Sequence, residues 1–171
     1  MNNNPLLTSL LRYHAWAHEE LFGTLHGLDT QQHAAELHAA LRILNHIYVV
    51  QRIFLGHLQG VEHPYTATNT TETPTLDALH EAMQDADRAY LEHAATLSAD
   101  QLSERLPFTF VDGDHGCMSR AEILAHIVTH GGYHRGAVGR ILAQLELTPP
   151  RDIYTRFVHQ DQPLRREAGN D

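Results

Sequence analysis

Cysteine is nearly missing from this sequence: Cys117 is the only one among 171 residues. An intramolecular disulfide is therefore excluded, and a lone thiol is typical of a protein of the reducing cytoplasm, where we expect this chain to work. Long apolar runs are absent as well, so the sequence predicts no membrane-spanning helix. The N-terminus has no basic segment followed by an apolar run, so we expect no signal peptide.

Positive charge is also scarce, with 12 arginines and lysines against 21 aspartates and glutamates and a net charge of −9. Binding to nucleic acid irrespective of sequence depends on neutralising phosphates, so this charge argues against a nucleic-acid partner. The abundant residue is histidine, with 15 copies. A chain of this length can form one hydrophobic core of substantial size. We therefore expect a single domain over residues 1–171, with a flexible tail from about residue 163.

The strongest helical pattern lies in residues 123–145. On a helix with about 100° per residue, six apolar side chains share one stripe: Ile123, Ile127, Ala137, Val138, Ile141 and Leu145. His130 and His134 fall within about 30° of the centre of that stripe. Two imidazoles on one buried face are costly unless their nitrogens are satisfied, and one transition metal satisfies both. The alternative is that both are half-buried histidines bonded to backbone or water, since this spacing alone is common.

His126 extends the histidine row by one turn but lies about 70° from the stripe centre. We therefore expect it beside the metal ligands rather than among them. Asn4 and Pro5 are a typical helix start, and the first helix should run to about residue 28. It carries a second pair at helical spacing, His14 near the middle of its apolar stripe and His18 nearer the edge. This pair is the main rival metal site.

The second helix is predicted over residues 31–59, ending before Gly60. It has two apolar rows, as a helix that packs against two neighbours in a bundle does. His46 lies in one of these rows. Periodicity alone leaves open whether His46 points inward as a ligand or lies at the edge of a packed face.

A long connection then leads to a third helix that should begin near residue 74. Its apolar stripe places Met83 and Tyr90 in the core. Its acidic residues are expected to face water: Asp77, Glu81, Asp85, Asp87 and Glu92.

A second long connection covers residues 99–118, where alternating apolar positions and an Asp-Gly turn favour a short hairpin. Ser119 and Glu122 form a capping box that begins the fourth helix. Apolar residues over 153–158 predict a short terminal helix. The pattern as a whole predicts an all-α fold, a four-helix bundle with long crossover connections and a short C-terminal helix.

Three segments resemble the DinB family of damage-inducible proteins. Residues 13–21 resemble the family's first helix, and residues 44–60 resemble its histidine-bearing helix that ends in glycine. Residues 123–142 resemble its signature of three histidines at four-residue spacing followed by Arg-Gly, which is the most specific of the three. With the helix order, the resemblance covers nearly the whole chain. It implies a four-helix bundle that often assembles as a homodimer.

The resemblance also implies a divalent metal, nickel or zinc, held by His46, His130 and His134. It thus selects His46, where periodicity was ambiguous, and leaves His126 outside the ligand set. Where the family commonly has asparagine, this chain has His14 and His18, and the resemblance assigns them no role.

Three neutral imidazoles leave at least one metal position open, which is typical of catalytic rather than closed structural sites. The resemblance extends to thiol-dependent transferases and so implies a low-molecular-weight thiol; a hydrolase using metal-bound water is the other option. No general base stands out, because capping explains Glu122. Tyr48, Tyr133 and His14 are weaker candidates for contacts with a substrate or with the metal ligands.

Three functions are consistent with these features. The first is a metal-dependent enzyme linked by resemblance to stress or damage response, which predicts a deep pocket at the metal. The second is a metal-binding stress protein without turnover, which predicts a fourth protein ligand or a closed site. The third is a dimerising helical module whose histidines hold no functional metal.

Overall fold

A computed structural model describes residues 4–166. Four long helices form the bundle: α1 (Pro5–His26), α2 (Ala34–Gln59), α3 (Leu76–Thr96) and α5 (Arg120–Gln144). A short helix and an antiparallel hairpin join α3 to α5: α4 (Ala99–Ser103), β1 (Arg105–Thr109) and β2 (His115–Ser119). The short helix α6 (Tyr154–Asp161) packs on α1. This architecture confirms the predicted all-α bundle.

Each bundle helix packs against two others, α1 against α3 and α5, and α2 against α3 and α5. The consecutive helices α1 and α2 therefore lie across the bundle from one another. As a result, α5 presents one face to α2 and another to α1, and histidine side chains lie at both of these helix interfaces. None of the helices within residues 4–166 is long and apolar enough to cross a membrane.

The helix ends follow the capping signals of the sequence. The Asn4 side chain accepts a hydrogen bond from a first-turn amide at 3.0 Å, with Pro5 beside it. Gly60 ends α2 at φ 68°, a left-handed conformation that glycine adopts without strain. At α5, the Ser119 hydroxyl accepts from the Glu122 amide (3.1 Å) and the Glu122 carboxylate accepts from the Ser119 amide (2.6 Å). The predicted capping box is confirmed.

Several boundaries differ from the predicted ones. Helix α1 ends two residues early, at His26, and α3 begins two residues late because the Thr75 hydroxyl caps it, accepting from the Ala78 amide at 3.3 Å. The favoured hairpin is present, with Gly113 in its turn at φ 96°. The predicted flexible tail begins with a 3-10 turn over Pro163–Arg165, and its residues 167–171 lie outside the described part of the chain.

The core consists of two apolar clusters separated by buried polar side chains. One cluster includes Leu11, Phe54, Tyr90 and Ile127. The other includes Leu21, Leu44, Met83 and Val138. Along the bundle helices, five of the six buried polar residues of the described chain lie between members of the two clusters, Asn45 being the exception: His14, His18, Gln51, Asp87 and Arg135.

This polar layer corrects three predictions. His18 is fully buried rather than near the edge of its stripe, and Asp87 is 6% exposed rather than facing water. Asp87 follows Met83 by four residues, so it lies on the inner face of α3, where histidine and glutamine side chains satisfy it. On α5, Ala137 is exposed because the buried face includes Gly131 and Arg135, which face α1.

Candidate metal centre

The packing of α2 against α5 brings three imidazoles together. His46 comes from α2, and His130 and His134 come from successive turns of α5. The Nε2 atoms of His46 and His130 are 3.1 Å apart, and one ligand nitrogen from each of the three rings lies within 4.8 Å of the others. All three side chains are partly exposed. The site is therefore both convergent and open to solvent.

A backbone carbonyl orients His46. Its Nδ1 lies 2.8 Å from the carbonyl oxygen of Thr68, in the connection between α2 and α3. A carbonyl can only accept, so the hydrogen of the neutral ring is on Nδ1 and the lone pair on Nε2 points at His130. A carbonyl behind a histidine ligand is the usual way in which proteins fix the metal-binding tautomer.

The separation of the nitrogens fits a shared metal ion. Zinc–nitrogen bonds of about 2.0–2.1 Å put two ligand nitrogens roughly 3.3 Å apart in tetrahedral geometry and about 2.9 Å apart at a right angle. The observed 3.1 Å falls between these values. The remaining nitrogen of His130, Nδ1, is buried and has no hydrogen-bond partner among the described residues.

Burial keeps the α5 histidines in the form that metals require. It lowers the pKa of His130 to about 3, with the neighbouring His134, His46 and His126 adding to the effect. Burial, and then His46, also lowers the pKa of His134. A histidine with a lowered pKa is neutral at physiological pH, so no proton has to be displaced before it binds a metal.

The profile of the DinB family matches residues 1–167. The chain belongs to the DinB family. It is also similar to Protein DinB of Bacillus subtilis (strain 168), with 24% identity over 149 residues, covering 79% of this chain and 83% of that protein. The resemblance drawn from the three sequence segments is thus confirmed, as is the bundle fold.

The other residues singled out in this DinB-family sequence lie around the triad or away from it. The His126 ring is 5.3 Å from that of His130 but is not part of the converging group. Tyr133 is 79% exposed, edge-on to His134 at 5.0 Å. Glu122 is held by its cap, and Cys117 is exposed on β2. Tyr48 lines a separate cleft of 120 Å³ between α2 and the connection that follows it.

His14 and His18 belong to a second group that lies inside the bundle with Asp87. The three side chains are at most 6% exposed. His18 Nδ1 is 2.7 Å from Asp87 Oδ2, and His14 Nε2 is 3.8 Å from Asp87 Oδ1. The Gln51 amide nitrogen lies 2.9 Å from His14 Nε2 and 2.8 Å from Asp87 Oδ1.

Arg135 enters this group from α5. Its guanidinium nitrogen Nη1 lies 3.0 Å from His14 Nδ1 and 3.2 Å from His18 Nε2, while its Nε donates to Asp152 at 2.8 Å. The sequence identifies His14 and His18 as a possible pair but not Asp87, the partner that satisfies them. A carboxylate one turn after Met83 on an apolar stripe was the available signal.

Proposed function

We propose that this protein binds one divalent transition metal, zinc or nickel, through His46, His130 and His134, and uses it in a transferase or hydrolase reaction. The observation that carries the proposal is the 3.1 Å approach of two Nε2 atoms, one with its lone pair fixed by the Thr68 carbonyl. Imidazole suits zinc and nickel among the divalent metals, and three protein ligands leave a position for a small molecule.

A metal in such a site favours the deprotonated form of a bound thiol or water. The residues of the chain orient the metal ligands and leave the metal site accessible to solvent. The Thr68 carbonyl orients His46, and burial keeps His130 neutral. The exposed ring of Tyr133, beside His134, is the side chain that we expect to contact a substrate. The resemblance to thiol-dependent transferases favours a low-molecular-weight thiol, in a cytoplasmic homodimer with a role in stress or damage response.

A metal-binding protein without turnover is the second candidate. Five clefts with volumes from 20 to 760 Å³ are each lined by residues other than the triad. The triad itself is partly exposed between α2 and α5, without a fourth histidine, cysteine or carboxylate in its group among the described residues. The free coordination position left by three ligands favours an enzyme, whereas the lack of a deep pocket at the triad favours a protein that only binds the metal.

The first experiment measures metal per chain by elemental mass spectrometry on untagged protein, with His134→Ala as the test variant. His38→Ala is the matched control, because His38 is exposed on the same helix as His46. We expect about one equivalent in the wild type and in the control and almost none in His134→Ala. Equal metal content in all three proteins would overturn the triad assignment.

The second experiment separates the two functions. Cobalt replaces the metal, and glutathione or cysteine is added as a thiol probe. A thiolate-to-cobalt absorption band that is lost in His130→Ala supports the thiol route. If cobalt binds but neither a thiol band nor hydrolysis of an activated ester appears, the enzyme assignment fails and metal binding alone stands.

A further inference from the structure

The buried group of His14, His18 and Asp87 has the composition of a metal site. Two imidazoles and one carboxylate are a common ligand set for divalent transition metals. Their ligand atoms lie within 4.8 Å of one another, the same limit that the open triad meets. The bundle therefore contains two histidine groups, and distance alone does not say which of them a metal would use.

Arg135 distinguishes the two groups. We propose that its guanidinium, which donates to His14 Nδ1 and His18 Nε2, leaves hydrogen on the two ring nitrogens that face Asp87 and so keeps a metal ion out of this group. Removing the guanidinium then converts the buried group into a divalent-metal site. The proposal goes beyond the proposed function and does not depend on it, since it concerns a different set of ligands.

The direction of the hydrogen bonds carries the argument. A guanidinium donates and never accepts, and it stays protonated in proteins. The two nitrogens facing Arg135, His14 Nδ1 and His18 Nε2, must therefore accept. A neutral imidazole has one hydrogen, so it is carried by the opposite atoms, His14 Nε2 and His18 Nδ1. These are the two atoms that face Asp87. A nitrogen that carries hydrogen has no lone pair to offer a metal.

Gln51 completes the same pattern. The oxygen and nitrogen of a side-chain amide are assigned from their hydrogen-bond partners. With hydrogen on His14 Nε2, the atom of Gln51 that lies 2.9 Å away is the amide oxygen. Asp87 Oδ1 lies 2.8 Å from the same atom of Gln51. Burial raises the pKa of Asp87, which favours the neutral carboxyl in this layer. Two N–H groups beside such a carboxyl form a poor site for a cation.

Charge leads to the same conclusion. Arg135 is 3% exposed, and its charge is balanced by Asp152 at 2.8 Å. A divalent ion bound by the ring nitrogens that face Asp87 would be separated from the guanidinium only by the two imidazole rings and one hydrogen bond. Repulsion between such cations is poorly screened in a buried site.

The open triad has the opposite arrangement. An acceptor, the Thr68 carbonyl, lies behind His46 and takes its hydrogen, so Nε2 is bare. A donor, Arg135, lies behind His14 and His18, so the ring nitrogens of these two histidines that face Asp87 carry hydrogen. Whether the partner behind each ring donates or accepts a hydrogen bond thus decides which histidine group can bind a metal.

The first test uses wild-type protein and needs no variant. Long-range ¹H–¹⁵N spectra of the histidine side chains report which ring nitrogen carries hydrogen. We expect the Nε2–H form for His14 and the Nδ1–H form for His18, unchanged by added zinc. The reverse tautomers, or zinc-induced shifts of both rings to metal-bound values, would overturn the proposal.

The second test creates the site. In a His46→Ala/His130→Ala background, Arg135→Met is expressed with zinc, and metal per chain is measured. We expect a rise from almost none to about one equivalent, lost again when Asp87→Ala is added. Arg140→Met is the matched control, because Arg140 is exposed on the same helix and should add no metal.

A folded Arg135→Met variant that binds no zinc would overturn the second half of the proposal. If that variant fails to fold, as judged by circular dichroism, the wild-type tautomers alone decide the case. Absence of metal from the wild-type triad would refute the proposed function while leaving this inference intact.

Discussion

Gly131 is the residue at which the two histidine groups meet. It lies on α5 between His130 and His134, yet its own Cα faces the buried layer. A Cβ placed there would be 2.2 Å from His14 Cε1 and 2.9 Å from a guanidinium nitrogen of Arg135. Glycine is therefore needed so that His14 can approach the helix backbone closely.

We expect Gly131→Ala to lower the free energy of unfolding by about 1–3 kcal/mol, because the added methyl group must displace two packed side chains. Urea denaturation measures the effect. Gly136→Ala is the matched control on the same helix, since a Cβ there meets nothing within 4 Å. This control should gain up to about 1 kcal/mol from helix propensity. Similar effects at both positions would refute the close-approach argument.

The histidines of both groups could be found from the sequence, but their partners could not. Spacing placed His130 and His134 on one helix face, and resemblance to a family selected His46. Asp87 was grouped with solvated acids because its charge outweighed its position one turn after Met83. Which ring nitrogen each histidine offers depends on Thr68 and Arg135, residues from other parts of the chain.

At the scale of elements, the connection between α2 and α3 positions a candidate metal ligand. Side-chain hydrogen bonds hold this connection against α2. Arg42 donates to the Thr70 carbonyl at 2.6 Å, Asn69 donates to the Arg42 carbonyl at 2.9 Å, and Asn45 donates to the Thr70 hydroxyl at 2.6 Å. These contacts fix the Thr68 carbonyl behind His46. The connection is thereby part of the candidate metal centre.

We expect Asn69→Ala to loosen this connection and to weaken zinc binding by about 10-fold without abolishing it, the scale typical of partners behind metal ligands. Competition with a chelating dye measures the affinity. Thr66→Ala, an exposed position in the same connection, is the control and should bind zinc as the wild type does. Unchanged affinity in Asn69→Ala would mean that the connection does not orient His46.

Helices were more predictable than connections, for a physical reason. Periodicity and caps are local, so the bundle helices and the Ser119 capping box could be derived from nearby residues. The connection after Gly60 was predicted only as a crossover. Its role depends on bonds such as that from Asn69 to Arg42, which span 27 positions of sequence. Local rules contain no information on such pairs.

At the scale of the whole molecule, folding fixes several histidines in the neutral state. Burial lowers the pKa of His14 and His18 well below 6.5 and that of His130 to about 3. The unfolded chain would protonate all three near pH 6.5. Burial raises the pKa of Asp87, so this carboxyl acts in the opposite direction, holding a proton in the folded state that the unfolded chain has lost.

These shifts predict that the metal-free protein loses stability as the pH falls below about 6.5, because the unfolded chain then binds more protons than the folded one. Each of the fully buried His14 and His18 contributes up to about 1.4 kcal/mol per pH unit between pH 6.5 and its own lowered pKa. Asp87 offsets part of this loss above about pH 3.9, its unfolded value. Urea denaturation with chelator at pH 7.5, 6.0 and 5.0 measures the slope. His38→Ala should keep the same slope, since its side chain is exposed. A flat profile from pH 7.5 to 5.0 would show that the buried histidines take up protons without unfolding.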